Sequence, residues 1–271
     1  MTTVGELKKV IILFDEQGTP TFRYQVDSPY FLGVGVTYDL SDEDMVFEKC
    51  DKLFGLSKSS PLKNNKISPP KAIEISQLIA GLPLHVIVVS VDLSNKDLQS
   101  VVRLHKEFGD IVRQKERHVR ERPIAQILHD QVLVSTIFYS VTRYIERFRI
   151  GAHFMPFMDD WSIPAPDRNI ITENQIESLV EQVDTLFRRR IGFAATSLTL
   201  LTSDSKRKRF VDVVASVLSR SFLSSTQERY SPEVLQNVLR NNANEHYHET
   251  QRILPLLRRF MDGVARGNIH K

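Results

Sequence analysis

Strands alternating with amphipathic helices predict an α/β layer architecture built on a mixed β-sheet. Three stretches carry that expectation. Val10 to Phe14 is an apolar run with neither parity of side chain polar, as expected of a strand covered on both faces. Residues 84–91, LHVIVVSV, form the densest β-branched run in the chain. Residues 123–148 repeat Ile127, Val134, Ile137, Phe138, Val141 and Ile145 at helical spacing.

The elements follow in order. The first strand ends in Asp15-Glu16 and the turn signal Gly18-Thr19-Pro20. Residues 30–38, YFLGVGVTY, predict a second strand, in which Gly33 and Gly35 share one parity and permit close backbone approach. A short helix over 42–54 precedes a polar, Pro-bearing loop at 57–70. A helix over 71–80 stops at Gly81, a C′ candidate before Pro83. Asp92 closes the 84–91 strand. Helices are expected over 95–115 and 123–148, and a strand over 151–158. Pro156 inside that strand points to a bulge, an edge position or a break. Thr172 is an N-cap candidate for a helix to about Arg190. A strand over 196–202, a helix over 206–222 and a final helical stretch at roughly 231–263 complete the order. The expected division is an α/β domain over 1–225 and a helical C-terminal extension over 226–271, packed on or beside it.

Composition bounds the class. The 271 residues allow one large domain or two small ones, and 41% hydrophobic with 25% charged residues is ordinary for a globular protein. No apolar run approaches the roughly 18–20 residues needed to cross a bilayer, so no membrane association is expected. Glu6 among polar residues leads straight into a strand, which is unlike a signal peptide. The single cysteine, Cys50, excludes an internal disulfide and reads as a buried small hydrophobe. A cytoplasmic setting is the expectation. The net charge of +3 implies no nucleic acid by itself. Its distribution is more suggestive: basic runs lie at 113–122, 188–190 and 206–209. Such runs track phosphates or form solvated helix faces.

The acids carry the chemistry. Asp15 and Glu16 close the first strand, and Asp159 and Asp160 follow the 151–158 strand. Asp212 lies in a helical pattern among Phe210, Val211, Val213, Val214 and Val217. In a parallel arrangement the carboxyl ends of neighbouring strands converge at one sheet edge, where a helix acid leaning over them would complete a carboxylate cluster. Clustered carboxylates repel unless protons or cations neutralise them. Hard oxygen donors suit Mg²⁺ or Mn²⁺, and two such ions can stabilise the attacking and leaving oxygens of phosphodiester hydrolysis.

Several motifs are similar to those of domain-of-unknown-function family 3800. Phe14-Asp15-Glu16-Gln17-Gly18 matches its opening Asp-Glu-Ser-Gly-like motif, and Phe31-Leu32-Gly33-Val34-Gly35-Val36 its Gly-containing second strand. Asp204-Ser205 with Val211-Asp212-Val213-Val214-Ala215 matches its Ser-bearing loop and Gln-x-Ala-Asp-x-x-Ala helix. The resemblance covers most of residues 10–222. Gln17 stands in place of the usual Ser, and Arg209 and Val211 in place of Gln and Ala. The resemblance implies a ribonuclease H-like α/β fold and a metal-dependent nuclease site with two Mg or Mn ions. Asp15, Asp212 and either Asp159 or Asp160 would be its acids. Glu16, of opposite parity, is the weaker ligand candidate. The implied context is bacterial or phage defence. Lys206, Arg207 and Lys208, with Lys63 and Asn64 of the polar loop, are the phosphate-contact candidates. The competing expectation is a non-catalytic nucleic-acid-binding or scaffold subunit of the same fold. A third expectation is a subunit whose C-terminal helices mediate assembly, as a homo-oligomer or with a protein partner.

Other chemistries find little support. Asp92 ranks below Asp159, because Ser94 or Asn95 after it reads as a helix cap. His246 and His248 fall two apart in the expected C-terminal helix and would not share a face there, so the pair reads as a poor zinc site. No His-Glu-x-x-His, glycine-rich phosphate loop or nucleophile elbow is present.

Overall fold

The first strand, β1 (Lys8–Gln17), carries fully buried residues from Val10 through Leu13 and runs on through Asp15 and Glu16. A computed structural model describes residues 7–18, 29–56, 67–101, 103, 124–148, 152–157, 197–198 and 205–265. Gly18 closes the strand with φ of 101°, a left-handed conformation that disfavours other residues; a Cβ there would also lie 2.8 Å from the Tyr30 carbonyl oxygen.

Five more strands build the sheet: β2 (Tyr30–Asp39), β3 (His85–Asp92), β4 (Ala152–Phe157), β5 (Ser197–Leu198) and β6 (Glu245–His248). Their spatial order is β5-β4-β1-β2-β3-β6. β2 pairs antiparallel with β1 and with β3, while β1–β4, β4–β5 and β3–β6 are parallel. Only β2 of these six therefore runs against the rest. The α/β class and the mixed sheet expected from the sequence are both present. The C-terminal ends of β1, β3, β4 and β6 lie along one sheet edge.

Two helical layers cover the sheet. On one face lie α1 (Glu43–Phe54), α2 (Pro69–Ala80), α4 (Ser205–Leu218) and α5 (Pro232–Leu239), around a core that includes Leu13, Val34, Val88, Phe210 and Val214. On the other lie α3 (Ile124–Phe148) and α6 (Thr250–Ala265), packed on Val10, Ile12, Phe31 and Val89. Cys50 of α1 is fully buried, and burial pushes its thiol up to about 12. No described helix is long and apolar enough to cross a membrane.

Gly33 and Gly35 face α3. A Cβ on Gly33 would stand 2.5 Å from Thr136 Oγ1, and one on Gly35 would stand 2.7 Å from Ser140 Oγ. Missing side chains on the second strand thus let the long helix lie against the sheet. Pro156 pairs with Ile12 of β1 inside β4. Among the described residues β5 pairs only with His153 and Phe154. Gly81 follows α2 with φ of −93°, right-handed backbone that other residues also adopt.

The largest departure from the sequence reading is at the C-terminus. Residues 231–263 are not one helical stretch but α5, β6 and α6 in turn. The C-terminal segment is therefore not a purely helical extension, since its strand belongs to the sheet. Side chains dock that strand at both ends. Asn244 Oδ1 accepts from the Val86 N–H at 2.7 Å while its Nδ2 donates to the Val238 carbonyl at 2.8 Å. Thr250 Oγ1 accepts from the Asp92 N–H at 2.8 Å. Elsewhere the helix expected from Thr172 to Arg190 lies outside the described residues, as does most of the 57–70 loop.

Candidate functional site

Successive residues of β1 point to opposite faces of the sheet, and this divides the Asp15-Glu16 pair as the sequence reading expected. Asp15 shares the parity of Ile11 and Leu13, on the face covered by α4. Glu16 shares the parity of Val10, Ile12 and Phe14, on the face covered by α3, where it pairs with His129.

Asp15 is the most perturbed acid of the site. Its carboxyl is pushed up to about 7, first by burial and then by the charge of Asp212. Two acids distant in sequence have thus come together at the end of β1. Asp212 is carried there by α4, whose residues Phe210, Val211, Val213 and Val214 are buried in the core against the sheet. Gln17, two residues on and on the same face, donates its Nε2–H to Asp15 Oδ2 at 3.1 Å. That bond opposes the upward shift without cancelling it. The result is a carboxyl that holds its proton near neutrality and would release it to a cation.

The third acid falls outside the described residues. β4 runs parallel to β1, with Phe157 opposite Leu13, and Asp159 and Asp160 follow beyond its described end. Lys63 and Asn64 likewise lie outside them. Among the described residues no three His, Cys, Asp or Glu side chains are grouped to hold a metal ion.

The basic residues of α4 are distributed unequally. Arg207 forms a two-pronged ion pair with Glu43 of α1, Nε to Oε2 at 2.8 Å and Nη2 to Oε1 at 3.0 Å. The Tyr38 hydroxyl donates to the same carboxylate at 2.9 Å. Lys206 Nζ lies 4.9 Å above the Phe47 ring, also on α1. Arg209 donates to the Leu56 carbonyl at 2.9 Å. Lys208, one turn before Asp212, shares the helical face of that acid. The run reads as four cations in sequence, yet helical geometry turns Lys206 and Arg207 toward α1.

Asn95, one of the two cap candidates in the sequence, caps the turn after β3, and Asp92 bonds within the same loop. Asp92 Oδ1 accepts from the Ser94 N–H at 2.8 Å and from the Ser94 hydroxyl, while Asn95 Oδ1 accepts from the N–H groups of Asp97 and Leu98, both at 3.1 Å. The histidine pair departs from the sequence reading. His246 and His248 lie in a strand, where residues two apart do share a face, and both rings contact the Ser90 hydroxyl of β3. Burial, and then the neighbouring His248, pushes His246 down to about 4. The available signal was the alternation Glu-His-Tyr-His between an Asn-rich break and Thr250.

No protein-family model matches the chain, and no curated protein matches it.

Proposed function

We propose that the protein is a ribonuclease H-like, Mg- or Mn-dependent phosphodiesterase acting on RNA or DNA. The observation that carries this reading is the pairing of Asp15 with Asp212 at the carboxyl end of the first strand. The strand order supports it: three antiparallel strands are extended beyond β1 by parallel strands. The motif resemblance to domain-of-unknown-function family 3800 points the same way.

The donors fit the expected ion in type. Two carboxylates that feel each other's charge, one of them holding its proton to about 7, are hard oxygen ligands whose mutual repulsion a divalent cation relieves. Asp15 and Asp212 would hold the ion, with Asp159 or Asp160 as the third acid. A bound divalent ion supplies charge stabilisation to the phosphoryl oxygens and acidifies water. Lys208 contributes a cation for the phosphate on the face of Asp212. Gln17 orients Asp15 by its hydrogen bond, and Glu16 with His129 supports the strand end from the opposite face.

The test offers labelled single- and double-stranded RNA and DNA with Mn²⁺ or Mg²⁺. Asp15→Asn and Asp212→Asn should each lower cleavage by more than about a hundredfold, since even residues that only support a ligand cost about 10- to 100-fold. Cleavage equal to that of the parent in both variants defeats the site assignment. If no substrate is cut but binding falls steeply with salt, the protein is a binding subunit of the same fold.

A further inference from the structure

Strand β6 reads Glu245-His246-Tyr247-His248, and its pairing with β3 sets His248 opposite Ser90 and His246 opposite Val88. Both imidazoles therefore project from the face that also carries Val34, Val88 and, three strands away, Asp15. They converge on one atom. Ser90 Oγ lies 2.8 Å from His246 Nε2 and 3.1 Å from His248 Nδ1, and the two ring centroids are 4.1 Å apart. Phe222 braces the His246 ring edge-on at 5.1 Å. Ser90 is fully buried and His248 is exposed, so the cluster has a hydroxyl at its floor and solvent at its mouth.

These distances resemble those between ligands of one metal ion. Imidazole nitrogens bind zinc at about 2.0–2.1 Å in tetrahedral geometry, which places neighbouring donor atoms about 3.3 Å apart. The two nitrogen-to-hydroxyl separations fall a few tenths of an ångström short of that, within reach of a small rotation of the exposed ring. We propose that His246, His248 and Ser90 form a binding site for a divalent transition-metal ion of the zinc, nickel and copper class. The two imidazoles are its principal ligands, the hydroxyl oxygen a third donor, and water enters from the side of His248. Imidazole selects this class over Mg²⁺. Three strand spacings, about 14 Å, separate the site from the Asp15–Asp212 pair, so the two are chemically and spatially distinct. The proposal does not depend on the nuclease reading. An ion here fastens the edge strand β6 to β3.

The experiment uses full-length protein without an affinity tag, stripped of metal with a chelator and titrated with Zn²⁺ in a calorimeter. The expected result is one tightly bound ion per chain at the histidines, apart from any weaker binding at the carboxylate pair. Affinity should fall at least tenfold in His248→Gln, whose ring is exposed and whose loss leaves the core intact. Asp15→Asn should keep the tight ion, with only the weaker carboxylate binding reduced. With Cu²⁺ as the probe, electron paramagnetic resonance should show two imidazole nitrogens in the parent and one in His248→Gln. Absence of Zn²⁺ binding, equal affinity in His248→Gln, or the same nitrogen count in both proteins overturns the proposal. Loss of binding in Asp15→Asn with retention in His248→Gln overturns it as well, by moving the ion to the carboxylates.

Discussion

Asp212, on a helix near the C-terminus, helps set the proton affinity of Asp15 at the end of the first strand, nearly 200 residues earlier. Replacing Asp212 with Asn removes that charge, so the Asp15 carboxyl should titrate below its present value of about 7. Burial, the larger cause, remains and holds it above the ordinary carboxylate range. Carbon-13 detection of the Asp15 carboxyl in chelator-treated parent and variant measures the difference.

The same shift has a stability consequence with a definite sign. Asp15 is raised from 3.8 to about 7, so the native state keeps a proton that the unfolded chain releases. Stability in cation-free protein therefore falls as pH rises from about 4 to about 7, by up to about 1.4 kcal/mol per pH unit for one proton. His85 works in the opposite direction. Burial first, and then Arg147, pushes it down from 6.5 to about 4, so its contribution is lost as pH falls through that window. His246, likewise pushed down from 6.5 to about 4, adds to the His85 slope, and both oppose that of Asp15 between about pH 4 and 6.5. Asp15→Asn should consequently show a steeper acid loss than the parent and greater stability at pH 8. Urea midpoints across the pH range check both, and parallel curves for the two proteins would contradict the assignment.

Gly33 leaves no room for a methyl group. Gly33→Ala should destabilise by about 1–3 kcal/mol, the usual cost of overpacking a filled core. The added Cβ would meet Thr136 and Val132, so Thr136→Ala should recover part of the loss. Denaturant melts of the two single variants and the double variant measure the coupling.

Neighbouring cations on α4 should behave differently. Lys208→Ala should weaken nucleic-acid binding and flatten its salt dependence by about one phosphate contact. Arg207→Ala leaves the partly buried Glu43 carboxylate without its two-pronged partner, and should cost about 1–3 kcal/mol of stability. Binding isotherms at several salt concentrations, beside thermal melts, separate the two effects.

Asn244→Ala should loosen β6 without touching its strand residues. It strips the Val86 N–H and the Val238 carbonyl of their side-chain partner, and buried groups left unpaired cost about 1–3 kcal/mol. Faster hydrogen exchange at the Val86 amide is the direct readout.

The strands and long helices were legible because burial writes a period into sequence. Val10–Phe14 and residues 84–91 are apolar at both parities, and residues 123–148 repeat apolar residues at helical spacing. The division of Asp15 from Glu16 followed from the period of two alone. β6 was not legible, since its four residues are polar and its place is fixed from outside by Asn244, Thr250 and the open edge of β3. A period-two pattern four residues long does not stand out against a helical stretch on either side. The basic run 206–209 was legible only as charge: the helix phase is what sets Arg207 against Glu43 and Lys206 over Phe47 of α1.

The pairing of β6 with β3 joins segments 158 residues apart in the chain, and this orders events during synthesis. The β1–β2–β3 meander can assemble on the ribosome from near neighbours, but the outer edge of β3 stays bare until residue 248 has been made. That edge carries Val86 to Val89, a β-branched run of the kind that recruits strands from other molecules. A nascent or prematurely terminated chain that stops before Asn244 therefore presents an adhesive border, and chaperone cover during late elongation is the demand this topology places on the cell.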